Sequence, residues 1–173
     1  YMEYRYVLKE GVLTLKDYKK GLEVVSYEGE DIYLTVPEKI PVEAGEGGED
    51  GLEKPVISIG KKAMLSRKSL RRGILPETIE EVGDWAFAYC DALREVVLPE
   101  KEIRFGKGIF RECGRVKSVS VRGKHQDVGA LLAAAVTLLD TPYLFTPVHC
   151  GEEDWLRQWD ARMLQLLHAA DQD

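Results

Sequence analysis

The spacing of apolar positions changes twice along this chain. Over residues 4–36 apolar and polar residues alternate, as in Val12-Leu13-Thr14-Leu15 and Ile32-Tyr33-Leu34-Thr35-Val36, with breaks at Lys9-Glu10-Gly11 and Tyr27-Glu28-Gly29. A period of two lines one face of a sheet, so this stretch predicts strands joined by tight turns, a β cap over an open edge. After Gln126 the spacing becomes three and four residues: Val128, Leu131, Leu132, Ala135, Val136 and Leu139. That spacing predicts a helix, with Asp127 at its N-cap and Pro142 just past its end. A second helix is expected over 152–168, opened by Glu152-Glu153-Asp154, whose charge favours a first turn. Its apolar face is Trp155 or Leu156, Trp159, Met163, Leu166 and Leu167. Joined by residues 141–151, the two helices predict a hairpin that caps the other end.

Between these ends the chain repeats itself. Gly60, Gly83 and Gly106 are spaced by 23 residues, each after a large apolar residue (Ile59, Val82, Phe105). Ala63, Ala86 and Ile109 share the period, as do Met64, Phe87 and Phe110, then Leu70, Leu93 and Val116, then Leu75, Leu98 and Val121. Cys90 and Cys113 are in register, with Arg67 in that place in the first copy; Pro76 and Pro99 align, with Arg122 in the third. Within a unit, Leu93, Val96 and Leu98 face one way and Glu95 and Val97 the other, a short strand. Residues 84–89 carry helical or 3₁₀ character, and Gly83 marks the turn, where a side chain is costly if φ is positive. One such unit has an apolar face and nothing to bury it against; stacked units share a continuous core beneath a parallel sheet. Gly73 stands where Val96 and Val119 point inward, so the first strand is expected to be looser.

Val82-Gly83-Asp84-Trp85-Ala86-Phe87-Ala88-Tyr89-Cys90-Asp91-Ala92-Leu93 closely resembles the core of the bacterial BspA-like leucine-rich repeat, and the resemblance extends over residues 5–122. It implies an α/β fold: a short leucine-rich-repeat solenoid with a parallel sheet, here with an N-terminal β cap and a C-terminal α-helical hairpin. The domains expected are 1–125, the repeat domain with its cap, and 126–173, a helical segment that could begin a longer region.

Charge sharpens the boundary. The net charge is −6, yet residues 1–125 hold 22 charges of each sign, so the whole excess lies after Gln126. A basic nucleic-acid footprint is absent at the level of the chain. The richest apolar stretch, 128–139, is too short to cross a bilayer, which takes about 20 residues. Three cysteines without close pairing and no cationic leader favour the cytoplasm, with the cell surface as the alternative the resemblance implies; Tyr1 before Met2 leaves a trimmed leader open.

Candidate chemistry is sparse. Cys90 and Cys113, one repeat apart, are close enough for a bridge but are expected as buried free thiols. His149-Cys150 with His168 suggests a Cys/His hydrolase, without a visible orienting group or oxyanion site. The acidic, glycine-rich run at 45–51 lacks the alternating oxygen ligands of a calcium loop and is expected as a surface loop. Nothing in the pattern calls for a cofactor or metal. Lys61, Lys62, Arg67 and Lys68, with Arg71 and Arg72, form a basic patch in one unit, most of it on the side away from the sheet. Stacking also aligns outward columns on the sheet: Arg71, Arg94, Lys117; Arg72, Glu95, Ser118; Ile74, Val97, Ser120. The function expected is a non-catalytic interaction module that binds a protein or glycan through these surfaces. The alternatives are the Cys/His enzyme and an N-terminal scaffold of a larger protein.

Overall fold

The computed structural model describes residues 2–42, 52–99, 101–113, 118–121, 124–127 and 143–145. Alternation in the first segment produces a meander, β1 (Glu3–Val7), β2 (Gly11–Tyr18) and β3 (Gly21–Gly29), antiparallel throughout. Leu13, Leu15, Leu22 and Val24 are fully buried on its inner face. Two short strands follow, β4 (Tyr33–Thr35) and β5 (Lys39–Pro41), and β5 pairs with the start of β6 (Glu53–Ile59).

Each repeat then contributes two strands. One set, β6, β8 (Glu81–Val82) and β10 (Ile103–Phe105), runs parallel and continues the meander as β1-β2-β3-β6-β8-β10. The other set, β7 (Arg72–Ile74), β9 (Glu95–Leu98) and β11 (Ser118–Val121), is parallel too, with β4 on one side and the antiparallel β12 (Lys124–Asp127) on the other. Inward residues of both sheets, Ile59, Val82 and Phe105 from the first, Leu34, Val96 and Leu98 from the second, belong to one hydrophobic cluster. The solenoid is therefore a flattened coil with its core between two sheets.

The segment joining the sheets within a unit was expected to have helical or 3₁₀ character. It is a run of turns instead, and no helix occurs among the described residues. Left-handed backbone recurs at the repeat period, at Lys62, Trp85 and Gly108 and again at Ser66, Tyr89 and Glu112, with φ between 57° and 61° except Trp85 at 54°. A helix needs consecutive right-handed residues and a costly nucleus, and these flips four residues apart prevent one. Ala86 and Ala88 N–H donate within the unit, to Gly83 and Trp85 carbonyls, while Trp85, Phe87 and Tyr89 N–H donate to Lys107, Ile109 and Arg111 of the next unit. The same pattern joins Lys62, Met64 and Ser66 N–H to Asp84, Ala86 and Ala88. The arc is thereby a third ladder between repeats.

Two glycine expectations change. Gly83 is not at positive φ; a Cβ there would sit 2.7 Å from the Lys61 backbone nitrogen, so close stacking of units demands the glycine. Gly73 does not leave the first strand loose, because the Phe87 ring lies against it, 3.5 Å from where a Cβ would be.

The helical hairpin falls on residues 128–142 and 146–173, which lie outside the described residues. What is described there departs from it. Residues 124–127, which include the expected N-cap Asp127, pair with β11, and β13 (Tyr143–Phe145), within the expected linker 141–151, pairs antiparallel with β10. A strand at that place satisfies the backbone groups on the β10 edge, which β8 leaves unpaired on its far side.

Candidate functional site

The outer face of the β4-β7-β9-β11 sheet carries the columns expected from the repeat. Tyr33, Arg72, Glu95 and Ser118 are in register, then Thr35, Ile74, Val97 and Ser120. Arg71 and Arg94 are exposed just before their strands and joined through the backbone, Arg94 N–H donating to the Arg71 carbonyl at 2.8 Å. Leu93, Val96 and Leu98 are buried beneath, as expected. Lys117 lies outside the described residues. Arg72 and Glu95 are not independent ligands: Arg72 Nε stands 3.0 Å from Glu95 Oε2. Val97, expected on the open face, is only 8% exposed although it lies outside the core cluster. Its neighbour in register, Ile74, stands one strand spacing away, where same-face side chains cover one another. Tyr33, 70% exposed, extends the first column and was missed. Its strand precedes the insertion at 45–51, so the 23-residue period does not reach it.

The basic patch divides. Arg67 is half-buried and donates from Nε to its own unit's Leu65 carbonyl, and Lys68 pairs with Asp91 at 2.9 Å. Lys61 and Lys62 instead turn to Trp85 of the next unit, their Nζ atoms 5.4 and 5.2 Å from the indole centroid, and Lys107 of the unit beyond stands at 5.4 Å. Three ammonium groups thus surround one indole, each within cation–π range. None of the three has an ion pair among the described residues. The indole fits there because Gly108, in the left-handed conformation, has no Cβ to meet its Cδ1 and Nε1.

Beside this cage lies an open cleft of about 460 Å³ lined by Lys62, Leu65, Trp85, Tyr89 and Arg111. Tyr89 is 43% exposed, an unusual outlay for an aromatic residue held in the left-handed region. Trp85, Tyr89, Lys107 and Arg111 were not among the expected site residues. The signal was present, since residues 62, 85 and 108 share one repeat position and 66, 89 and 112 another, but an arc read as helix gave no reason to bring them together.

Cys90 and Cys113 are free, buried thiols. Cys90 Sγ–H donates to the Met64 carbonyl at 3.1 Å and Cys113 Sγ–H to the Phe87 carbonyl at 2.9 Å, one bond repeated a unit later. The adjoining Cys90 thiol and burial push the Cys113 thiol up, away from the reactive thiolate. His149, Cys150 and His168, and the 45–51 loop, lie outside the described residues. Among the described residues no cluster of His, Cys, Asp and Glu could hold a metal ion, and no helix is long and apolar enough to cross a membrane.

Similar proteins place this architecture. The family model for the BspA type leucine rich repeat region (6 copies) matches residues 51–139, which is 89 of the 173 residues. No curated protein matches the chain. Among solved structures, it is similar to a leucine rich cell surface protein from Faecalibacterium prausnitzii A2-165, with 20% identity and a TM-score of 0.51 over 68% of this chain and 31% of that one. A leucine-rich repeat protein from Bacteroides ovatus ATCC 8483 gives 20% identity and 0.51 over 67% and 29%. One from Bacteroides capillosus ATCC 29799 gives 17% and 0.50 over 69% and 99%. The chain spans under a third of the first two. At these identities the likeness is one of fold. With the repeat period, the stacked ladders and the matched region in agreement, the chain belongs to the BspA-type leucine-rich repeat family.

Proposed function

We infer that this chain is a non-catalytic interaction module that binds a protein or glycan partner through its solenoid surface. The observation that carries this reading is the outer face of the β4-β7-β9-β11 sheet. Its residues are held in register by backbone ladders, so a row of charged and aromatic side chains is presented without any rearrangement on binding, which lowers the entropic cost of association. Arg71 and Arg94 form its open cationic part. Arg72 and Glu95 form a pre-paired strip beside Tyr33, and Ile74 its apolar part, while Val97 is buried and does not belong to the open face. Residues 1–125 form this module, and β13 adds a strand to its first sheet. We place the module at the cell surface rather than in the cytoplasm, following a solved structure of similar fold described as a cell surface protein.

The test is affinity capture from the native cell with the full chain, wild type against Arg71→Glu/Arg94→Glu. The wild type retains a partner that the double variant loses. Equal capture by both removes the sheet face from the account.

A further inference from the structure

The cleft on the turn arc offers a second surface, on a different side of the coil from the sheet face. We propose that it binds a negatively charged sugar, a saccharide bearing carboxylate or sulfate groups, with Tyr89 as the stacking platform and Lys62 and Arg111 as anion ligands. This rests on the reading of the chain as an interaction module but not on the sheet face.

Three observations point to that ligand class. The first is charge. Lys61, Lys62 and Lys107 gather around Trp85 without a carboxylate partner among the described residues, and the Arg111 guanidinium lines the same cleft. Like charges are collected here at a mutual cost that an anion would relieve, in a protein whose net charge is −6. Asp84, the nearest carboxylate in sequence to Trp85, is already engaged, accepting from the Lys107 backbone N–H at 2.9 Å. A guanidinium is planar and suits carboxylate or sulfate oxygens in general, and the three lysines supply charge left uncompensated among the described residues.

The second observation is the apolar lining. Tyr89 and Leu65 form a small surface beside the cations. A sugar ring presents polar edges and an apolar C–H face, so one ligand meets both kinds of lining.

The third is the backbone, and it separates a sugar from an acidic peptide. An extended peptide draws much of its affinity from main-chain hydrogen bonds to an open strand edge. In this arc the N–H groups of Lys62, Met64, Ser66, Trp85, Phe87 and Tyr89 all donate to the following unit. Recognition in the cleft therefore falls to side chains, which suits a saccharide.

The experiment is calorimetric titration of the full chain with four probes: a tetragalacturonate, a sulfated heparin-derived tetrasaccharide, neutral cellotetraose and a glutamate-rich peptide. The expected result is binding of one or both anionic sugars at least tenfold tighter than cellotetraose and the peptide, weakening as salt rises. Which of the two binds distinguishes carboxylate from sulfate. Arg111→Ala/Lys62→Ala and, separately, Tyr89→Ala each weaken it at least tenfold with unchanged unfolding midpoints, while Arg71→Glu/Arg94→Glu leaves it intact. Equal affinity for cellotetraose, tighter binding of the peptide, no binding of either anionic sugar, or indifference to the cleft substitutions overturns the proposal. If the cleft proposal fails while partner capture through the sheet face persists, the interaction-module reading stands. Loss of capture selectivity with intact sugar binding has the opposite meaning.

Discussion

At the scale of single residues the fold is held by conformations that ordinary side chains resist. Lys62, Ser66, Trp85, Tyr89 and Glu112 occupy the left-handed region, where a non-glycine residue costs roughly 1–2 kcal/mol. Ser66 is exposed and its N–H is used in the inter-unit ladder, so its side chain gives little back. Ser66→Gly is expected to raise stability by about 1 kcal/mol, read as a higher denaturant midpoint at constant slope; a lower midpoint would show that its hydroxyl contributes more than the strain. Tyr27 is a different case. Its phenol donates to Asp31 Oδ2 at 2.7 Å and accepts from the Asp31 N–H at 2.7 Å, a buried pair that ties the β3 end to the entry of β4. Burial first, and then the bond to the carboxylate, push the phenol up from 10 to about 12. Because the folded state holds this proton more tightly, its contribution is complete below about pH 10 and is lost as pH rises through about 12. The loss is on the order of 2–3 kcal/mol. Ultraviolet titration should find one tyrosine ionising only as the protein unfolds; ionisation of all tyrosines near 10 in folded protein would contradict the pairing.

At the scale of elements, what the amino-acid pattern revealed depended on how strictly the period constrained it. The parallel register of β7, β9 and β11 was legible, because two copies of Leu-x-x-x-x-Leu and a third as Val-x-x-x-x-Val at one period admit one alignment. The turn arc was not. Six residues with apolar positions three apart fit a helix and a stack of turns equally, and left-handed backbone at Trp85 or Tyr89 has no signature in residue type. Gly83 was visible as special, yet the cause is contact with the Lys61 backbone rather than its own φ. The cap strands were recognised from alternation, but Tyr33 was not assigned to the binding face because the insertion removes it from the repeat count. The inward positions are clear from the period alone: Phe87 and Phe110 lie with ring centroids 5.7 Å apart and planes at 26°, both buried. Phe87→Ala is expected to cost about 3–5 kcal/mol, since neither the Gly73 backbone nor Phe110 can fill the space. An unchanged midpoint in denaturant would remove Phe87 from the core.

For the molecule as a whole, stacking does two things at once. It buries the inner faces of two sheets, and it copies each outward side chain at a fixed spacing, so that surface pattern follows from core register. The sheet face and the arc cleft are both products of that copying, and neither requires a moving part. The cleft draws its residues from three successive units, which explains why no single repeat displays it. The sheet face, on this reading, is the contact surface of an interaction module. The most direct measurement is the equilibrium affinity of the captured partner for wild type and for Arg71→Glu/Arg94→Glu, each checked for the same unfolding midpoint. At least a tenfold loss of affinity is expected in the double variant with stability unchanged; equal affinities in two equally stable proteins would remove the sheet face as the contact surface.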